Sequence, residues 1–518
     1  VRASAGLGIG IRMSDPVGNA VGNAVGDPLR EAARRWPDAP ALDDGERVWT
    51  YAELDAAVGR MAGRLGPLGA APGATVALVA HPSALSVQAF HAIPRTGAVL
   101  APLNPRLGRA SMERAVDEVA PDVILSTEED IPALELDPAW VTPVDDLPKA
   151  AAPNEAAADP APPGVSPERP FAVIFTSGTS GDAKTIPIHL NALNAHGRAA
   201  SVRLDLAMED RWYASLSMAH IGGLALVYRS AQLGCKLIVR GAFSTKVLVE
   251  LIDRGDLTHA SLVPTMLRQL LGERGGLPVP PTLKCLLVGG AAAGKGLIET
   301  AVRQGYPIAL TYGATEACSQ VATAPPELVR RKPDTVGAPL DGIELRLRES
   351  GEICIRGATV APTVVDDGGW FATGDLAELD DDGHLRLTGR LGDRIISGGV
   401  NVDPLSVETV MGELSGVAAV AVVGVPDDHW GEVVAALVVP DSGVRPDPAA
   451  LISAARARLA GAEIPRWIEI ADALPLNTNG KVDRGQIRER LTRGYLPATP
   501  RPWGETDSVQ EEREVGEE

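Results

Sequence analysis

An apolar strand that runs straight into a loop of glycine and hydroxyl residues restricts most strongly how this chain folds. Residues 171–185 read FAVIFTSGTSGDAKT, five apolar residues followed by a polar loop that Lys184 closes. Gly178 and Gly181 allow backbone N–H groups to face an anion, and the lysine adds positive charge. Further hydroxyl donors in the loop are Thr176, Ser177, Thr179 and Ser180. The segment predicts a phosphate-binding loop, and a nucleotide is the first hypothesis for its ligand.

Two simpler interpretations of this loop fit less well. The pattern from Gly178 to Thr185 differs from the nucleoside triphosphatase loop at one residue, because Ala183 stands where that loop needs a second glycine. A near match at residues 289–295 is followed by Gly296, which offers no hydroxyl to a magnesium ion. An ordinary polar turn needs only one or two such residues.

The loop instead resembles the TSG(T/S)(S/T)G-x-x-K signature of the adenylate-forming enzymes, which include acyl-CoA synthetases, luciferases and the adenylation domains of peptide synthetases. Further motifs of that family follow in the family's order. They are TYGATE at 311–316, WFATGD at 370–375, GRLGDRIISGG at 389–399 and LNTNGKV at 476–482. The resemblance covers roughly residues 26–495, and five ordered motifs are not expected by chance.

The resemblance implies an ATP site, because joining a carboxylate to the α-phosphorus of ATP requires cations that converge on two anions. In the family, the lysine matching Lys481 reaches the carboxylate and the α-phosphate. Glu316 is the candidate Mg²⁺ ligand, since a hard cation prefers carboxylate oxygen, and Thr315 with Lys184 would position phosphates. The other expected ATP-binding residues are Thr176, Ser177, Gly178, Thr179, Ser180, Gly181, Gly290, Ala291, Thr311, Tyr312, Gly313, Asp375 and Arg390.

The acyl and thiol sites rest on fewer residues. His220 stands where the family carries a histidine or aromatic residue that gates the acyl pocket, and we count it among the catalytic candidates. The expected pocket also includes Gly222, Ser319, Gln320, Gly398 and Gly399. YGATEACSQ at 312–320 resembles the YGMTETCSQ segment of the o-succinylbenzoate-CoA ligases of menaquinone biosynthesis, as do HIGGL at 220–224 and VPTML at 263–267.

These observations predict an AMP-forming acid–thiol ligase with 2-succinylbenzoate as its acid and coenzyme A as its thiol. Residues 215–226 contain no acid to pair with an amino-acid ammonium, and no carrier-protein domain follows Lys481. One alternative is another aryl- or acyl-CoA synthetase. An alternative of another class is a nucleotide-binding protein that has lost ligation, which the presence of Lys481, Glu316, Asp375 and Arg390 disfavours.

A chain of 518 residues exceeds what one hydrophobic core usually serves. Helical stretches that alternate with short apolar strands predict a mixed α/β fold with a large N-terminal domain and a small, mobile C-terminal one. The expected limits are 28–389 for the ATP- and acyl-binding domain and 390–497 for the C-terminal domain. Residues 1–27 and 498–518 are expected to be disordered extensions.

Charge and cysteine content exclude several classes of protein. The formal net charge is −19, which disfavours nucleic-acid binding. Only eight of the 48 basic residues are lysines, a bias that fits either GC-rich coding or a saline cytoplasm. Four widely spaced cysteines predict reduced structural thiols. We expect a cytoplasmic protein without membrane insertion, and the oligomeric state stays open, a homodimer included.

Overall fold

The computed structural model describes residues 26–127, 141–144, 147, 169–177, 183–459, 461–478 and 480–495. The predicted phosphate-loop residues Gly178, Thr179, Ser180 and Gly181 lie outside this range. Most of the predicted N-terminal extension and the whole acidic tail also lie outside it.

Thirteen α-helices occur in the described residues. They are α1 Pro28–Arg35, α2 Tyr51–Leu65, α3 Ala84–Arg95, α4 Arg109–Val119, α5 Leu190–Arg203, α6 Ile221–Leu233, α7 Thr245–Asp253, α8 Pro264–Arg274, α9 Lys295–Arg303, α10 Pro326–Arg331, α11 Pro404–Gly412, α12 Pro448–Arg456 and α13 Arg484–Gly494. Several begin at residues suited to capping: Thr50 and Glu53 form a reciprocal capping box at α2, and the Asp27 carboxylate accepts two backbone N–H bonds at α1. None of the helices in the described ranges is long and apolar enough to cross a bilayer.

In the part of the chain that the structure describes, twenty-three strands form four sheets. The strands are β1 Pro40–Asp43, β2 Val48–Thr50, β3 Thr75–Val79, β4 Val99–Leu103, β5 Val123–Ser126, β6 Val141–Pro143, β7 Ala172–Ser177, β8 Ala183–Ile188, β9 Arg211–Tyr213, β10 Lys236–Ile238, β11 His259–Leu262, β12 Cys285–Val288, β13 Ile308–Ala314, β14 Ser319–Ala324, β15 Ile343–Leu347, β16 Glu352–Gly357, β17 Phe371–Leu379, β18 Leu385–Arg390, β19 Ile395–Ser397, β20 Val400–Val402, β21 Val417–Asp427, β22 Gly431–Pro440 and β23 Trp467–Ile470.

Two large, mostly parallel sheets make up most of the N-terminal part. Their strand orders are β6-β5-β3-β4-β7-β8 and β14-β13-β12-β11-β9-β10-β1-β2. The central strands are buried on both faces, as the four fully buried residues of β11 and of β12 show, which is expected of parallel strands covered by helices. A four-stranded antiparallel sheet, β15-β16-β17-β18, follows.

The C-terminal part has its own sheet and its own core. Strands β20-β19-β22-β21 form a sheet in which β23 also pairs with β22. Within the described chain, the two apolar clusters of this part, which include Val407, Val434, Val425 and Leu491, contain no buried residue that precedes Ile395. The predicted class, a mixed α/β protein with a large N-terminal and a smaller C-terminal domain, is confirmed. The cysteines Cys235, Cys285, Cys318 and Cys354 are buried and free, as expected.

The parallel strands aim their carboxyl ends at one edge of the second sheet, where open α/β sheets bind ligands. Strands β11 and β12 run parallel with β13, and Val263 and Gly289 follow directly after β11 and β12. Strand β13 turns back into β14 through a short 3₁₀ turn, Thr315–Ala317. The turn-forming motifs found in the sequence therefore meet at this edge.

One glycine of the β13–β14 hairpin permits a close backbone approach. A Cβ built on Gly313 would lie 2.0 Å from the carbonyl oxygen of Ser319, which is backbone and cannot swing away. We therefore expect Gly313→Ala to destabilise the protein by about 1–3 kcal/mol through overpacking. The measurement is the apparent melting temperature by scanning calorimetry, which should fall.

Gly272 in α8 is the matched control, because a Cβ there meets nothing within 4 Å and its backbone is helical. Gly272→Ala should raise the melting temperature, since alanine stabilises an exposed helix interior by about 0.5–1 kcal/mol over glycine. An unchanged melting temperature in Gly313→Ala would contradict the close approach.

Candidate functional site

The turn after β12 places two glycines, Gly289 and Gly290, at the carboxyl edge of the sheet, where neither residue has a side chain to cover the backbone. A Cβ on Gly289 would lie 2.5 Å from the Cγ2 atom of Thr311 and 2.9 Å from its carbonyl oxygen, so only glycine fits. Gly290 has φ +78°, a left-handed conformation that also favours glycine. The Thr311 hydroxyl donates to the carbonyl of Ala322 at 2.9 Å. Thr311, expected at the ATP site, therefore uses its side chain to hold β13 against β14.

A half-buried carboxylate lies beside this turn. The Tyr312 hydroxyl donates to Oδ2 of Asp375 at 2.8 Å, and Nε of Arg390 lies 3.5 Å from Oδ1. Asp375 and Arg390 are opposite each other in the β17–β18 pair, which fixes their separation. Burial raises the pKa of Asp375, and the charge of Arg390 opposes that rise. Asp375 was expected to bind the ribose. It is held by Tyr312 and Arg390, which were both expected in the same ATP site.

Lys481 reaches this cluster from the C-terminal part of the chain. Its Cε and Nζ atoms lie 3.4 Å and 3.8 Å from the position that a Cβ on Gly290 would occupy. A turn fixes the lysine, because its backbone N–H donates to Oδ1 of Asn477 at 3.1 Å and its carbonyl accepts from the Asn477 N–H at 2.8 Å. Burial and the charge of Arg390 lower the pKa of Lys481, and Asp375 opposes this effect. Asp375 is therefore in contact with one cation, Arg390, and lies within the electrostatic influence of a second, Lys481.

The 3₁₀ turn after β13 presents the candidate metal ligand. Glu316 is half-buried, and its carbonyl accepts from the Ala361 N–H at 2.8 Å. Among the described residues no group donates a hydrogen bond to the Glu316 carboxylate, so its oxygens are available to a hard cation such as Mg²⁺. The chain leaves the turn through Cys318 at φ +57° and Ser319 at φ +102°. Left-handed backbone at a residue other than glycine is strained and is found mainly at functional sites.

The expected acyl-pocket residues are only partly brought together. His220 is the residue before α6, and its Nε2 atom lies 3.5 Å from Nδ2 of Asn104. Gly222 is the second residue of the helix and lies beside Leu216, whose Cδ1 atom would be 3.1 Å from an added Cβ. Gly398 and Gly399 form the turn between β19 and β20, and nothing lies within 4 Å of a Cβ built on Gly399. A Cβ on Gly398 would instead lie 2.6 Å from Cε3 of Trp430, so among the described residues neither glycine contacts the Gly290 turn.

The ends of the phosphate loop lie in a β-hairpin. Strand β7 includes Thr176 and Ser177, and β8 includes Lys184. The Thr176 hydroxyl donates to the carbonyl of Lys184 at 3.3 Å, and the lysine is exposed. The described residues on either side of the predicted loop are therefore paired in an antiparallel ladder, with Thr176 opposite Lys184 and Ser177 opposite Ala183.

A buried cation was missed by the sequence analysis. Arg229 is 4% exposed, donates through Nη1 to Oε1 of Gln320 at 3.1 Å, and lies 4.2 Å from the ring centroid of Trp212. Burial lowers its pKa to about 10. Among the described residues no carboxylate forms an ion pair with it. The signal in the sequence is one charged residue within the apolar helix IGGLALVYRSAQL.

Gln320 joins this cation to the strained turn. Its backbone N–H points to Nε2 of His196 at 3.4 Å, and its side-chain amide donates to the Thr323 hydroxyl at 2.8 Å. Burial, with Arg229 adding to it, lowers the pKa of His196 to about 3, so this imidazole is neutral near pH 7. Arg229 is consequently the cation of this cluster, and a buried cation without a carboxylate partner favours an anionic ligand.

Comparison with protein families places two domains on the chain. Residues 29–364 match the model of the AMP-binding enzymes, and residues 406–481 match that of the AMP-binding enzyme C-terminal domain. A 2-succinylbenzoate–CoA ligase from Geobacillus kaustophilus is 33% identical over 486 residues, which span 89% of this chain and 97% of the relative. One from Listeria monocytogenes is 30% identical over 488 residues, with 89% and 98% covered.

Solved structures agree with these matches. The o-succinylbenzoate CoA synthetase from Bacillus subtilis in complex with its acyl-adenylate intermediate superimposes with a TM-score of 0.80 at 29% identity, covering 89% of this chain and 98% of that one. The same enzyme with ATP and a magnesium ion gives a TM-score of 0.79 at 29% identity and the same coverage.

Proposed function

The chain belongs to the AMP-binding enzyme family, and from this membership we propose that it is an ATP-dependent ligase that converts 2-succinylbenzoate and coenzyme A to 2-succinylbenzoyl-CoA. The observation that carries the proposal is the convergence of Lys481 and Arg390 on Asp375 beside the Gly289–Gly290 turn. A site with this charge distribution suits a reaction between two anions.

In the first step a carboxylate oxygen of the acid attacks the α-phosphorus of ATP, and the bond to the bridging oxygen breaks to release pyrophosphate. Lys481 is proposed to neutralise the negative charge where carboxylate and α-phosphate meet. Asp375 is proposed to accept hydrogen bonds from the ribose hydroxyls, with Arg390 as a donor to the same sugar. The bare backbone at Gly290 and Ala291, with Tyr312, would hold the adenine.

A magnesium ion fits the donor set at the β13–β14 turn, because the Glu316 carboxylate there takes no hydrogen bond from the described residues. When bound, the ion would offset charge on the leaving pyrophosphate. Thr315 and Lys184 are proposed to orient the phosphates. Glu316 would hold the ion near the leaving group, whereas Lys481 is proposed to act where the attacking carboxylate meets the α-phosphate.

In the second step the sulfur of coenzyme A attacks the acyl carbonyl carbon, the bond from that carbon to the phosphate oxygen breaks, and AMP leaves. The thiol loses its proton in this step. Gly398 and Gly399 are proposed to admit the pantetheine arm after the C-terminal domain turns, since neither has a side chain and the space beside Gly399 is open. The domain limits 28–389 and 390–497, a homodimer and a cytoplasmic location remain predictions.

The choice of acid rests on Arg229. 2-Succinylbenzoate carries two carboxylates, and only one of them is activated. We propose that Arg229 neutralises the other, because it is a buried cation without a carboxylate partner among the described residues and because its partner Gln320 adjoins Ser319. Another aryl- or acyl-CoA synthetase with a monocarboxylic substrate would have no use for this charge.

A substrate panel tests the proposed reaction. With ATP, magnesium and coenzyme A present, 2-succinylbenzoate should support AMP and acyl-CoA formation better than benzoate, acetate, fatty acids or amino acids. The measurement is pyrophosphate release for each acid, with products identified by mass spectrometry. A clear preference for a fatty or amino acid would contradict the assignment.

Replacing the buried cation tests the selectivity. Arg229→Met should lower kcat/KM for 2-succinylbenzoate by about 10- to 100-fold, the usual worth of a hydrogen bond to a charged group, mainly through KM. The rate with benzoate should change much less. Arg274→Met is the matched control, because Arg274 is also buried but pairs with Asp253 and Tyr306. Equal losses with both acids in Arg229→Met would show that the arginine has only a structural role.

The role of Lys481 is tested by separating the half-reactions. Lys481→Ala should lower acyl-adenylate formation by about 10²- to 10³-fold, by analogy with other groups that stabilise transition-state charge. Thioester formation from supplied acyl-adenylate should stay within about tenfold of wild type. Single-turnover assays of each step give both rates. Equal loss of both steps would refute the assigned role.

A further inference from the structure

The first turn of helix α8 touches both sides of the junction between the two parts of the chain. Val263 precedes this helix, and its two methyl groups lie near both glycines of the site: Cγ1 is 3.5 Å from a Cβ position on Gly290, and Cγ2 is 3.8 Å from that on Gly480. The VPTML segment at 263–267, noted for its resemblance to one group of ligases, therefore lies between the glycine turn and the residue before Lys481.

A hydrogen bond closes this contact. The Thr265 hydroxyl donates to the carbonyl of Gly480 at 3.0 Å. Gly480 has φ +73°, and its N–H donates to the carbonyl of Asn477 at 2.9 Å, so the turn that leads into Lys481 is internally fixed. A rigid turn held at its last carbonyl has little freedom to move the following side chain. The bond therefore sets where the Cα atom of Lys481 lies.

One helical turn later, Arg268 makes a second contact with the C-terminal part of the chain. Its Nη1 atom donates to the carbonyl of Ala418 in β21. Arg268 is exposed, so this bond competes with water and contributes less than a buried one. We call Val263, Thr265 and Arg268, which lie at the N-terminal end of α8 and in its first turns, the α8 dock.

We propose that Thr265 is a positioning residue for Lys481, and that the α8 dock holds the C-terminal domain in the arrangement in which the first half-reaction occurs. The inference rests on the proposed function. Its physical basis is that Lys481 and the Gly290 turn belong to separate cores, so that their separation depends on the contacts across the junction. Loss of the Thr265 bond lowers the population of that arrangement without altering any group that touches substrate.

The chemical test compares both half-reactions in Thr265→Val, which keeps the shape but removes the hydroxyl. Adenylation should fall about three- to tenfold, the range expected for one neutral hydrogen bond. Thioester formation from supplied acyl-adenylate should be unchanged or faster. Thr265→Ser should restore adenylation, and in a Lys481→Ala background Thr265→Val should cause no further loss.

Thr409→Val serves as the matched control. The Thr409 hydroxyl also donates to a backbone carbonyl, that of Leu405 at 2.8 Å, but within α11 of one domain. Both half-reactions should therefore keep wild-type rates in Thr409→Val. Equal loss of both half-reactions in Thr265→Val, or no loss in either, would overturn the proposal.

A second readout needs no substrate. The native cysteines are buried, so cysteines introduced at Val202, which is 62% exposed on α5, and at Val444, which is 46% exposed before α12, accept a pair of fluorescent labels. Single-molecule energy transfer should show a narrow distance population in wild type and a reduced share of it in Thr265→Val. An identical distribution in both proteins would overturn the proposal. If the enzyme activates no acid at all, the proposed function fails, while this measurement still decides the role of the dock.

Discussion

The cluster of Tyr312, Asp375, Arg390 and Lys481 is the interaction on which the rest of the structure depends. Removing even part of a carboxylate from water costs free energy unless hydrogen bonds and opposite charge compensate it. Here the hydroxyl comes from a strand of the large parallel sheet, one cation comes from the neighbouring antiparallel strand, and the other comes from the C-terminal domain. Three separate pieces of the fold must therefore be in place before the carboxylate is fully compensated.

Close backbone approach makes this convergence feasible. The turn at Gly289 and Gly290 leaves space for the Lys481 side chain, and the glycine at 313 lets β13 and β14 meet without a side chain between them. At each position an added methyl would contact a backbone atom or the lysine itself. These glycines are therefore needed because they lack a side chain, which allows close contacts at the site, more than because their backbone is flexible.

The two cationic sites, at Lys481 and at Arg229, have different proposed roles. The Lys481 cluster joins the N-terminal and C-terminal parts of the chain, whereas Arg229 is enclosed within the N-terminal part against Trp212 and Gln320. The proposed domain rotation would give the Lys481 cation a role in one arrangement of the domains only. A cation in a rigid core suits recognition, because its position does not depend on the state of the domains.

The sequence by itself determined the fold class, and it predicted most of the candidate site. Ordered motifs that resemble those of a known family pointed to Lys184, Glu316, Asp375, Arg390 and Lys481, because such motifs are local properties of the chain. Cysteine spacing likewise predicted the free thiols. These features depend on residues that are close together in the sequence, so they could be predicted without knowledge of the packing.

Only the tertiary structure decided which of these residues meet and what other residues support them. Thr311 was expected at the nucleotide but uses its hydroxyl between strands, and Gly398 and Gly399 lie apart from the Gly290 turn. Arg229 and Thr265 were not recognised as site residues, because their roles come from partners 91 and 215 residues away. Arg229 is buried without a carboxylate partner among the described residues, and Thr265 donates a hydrogen bond to the C-terminal part of the chain. Both features come from long-range packing, which cannot be inferred from a single sequence.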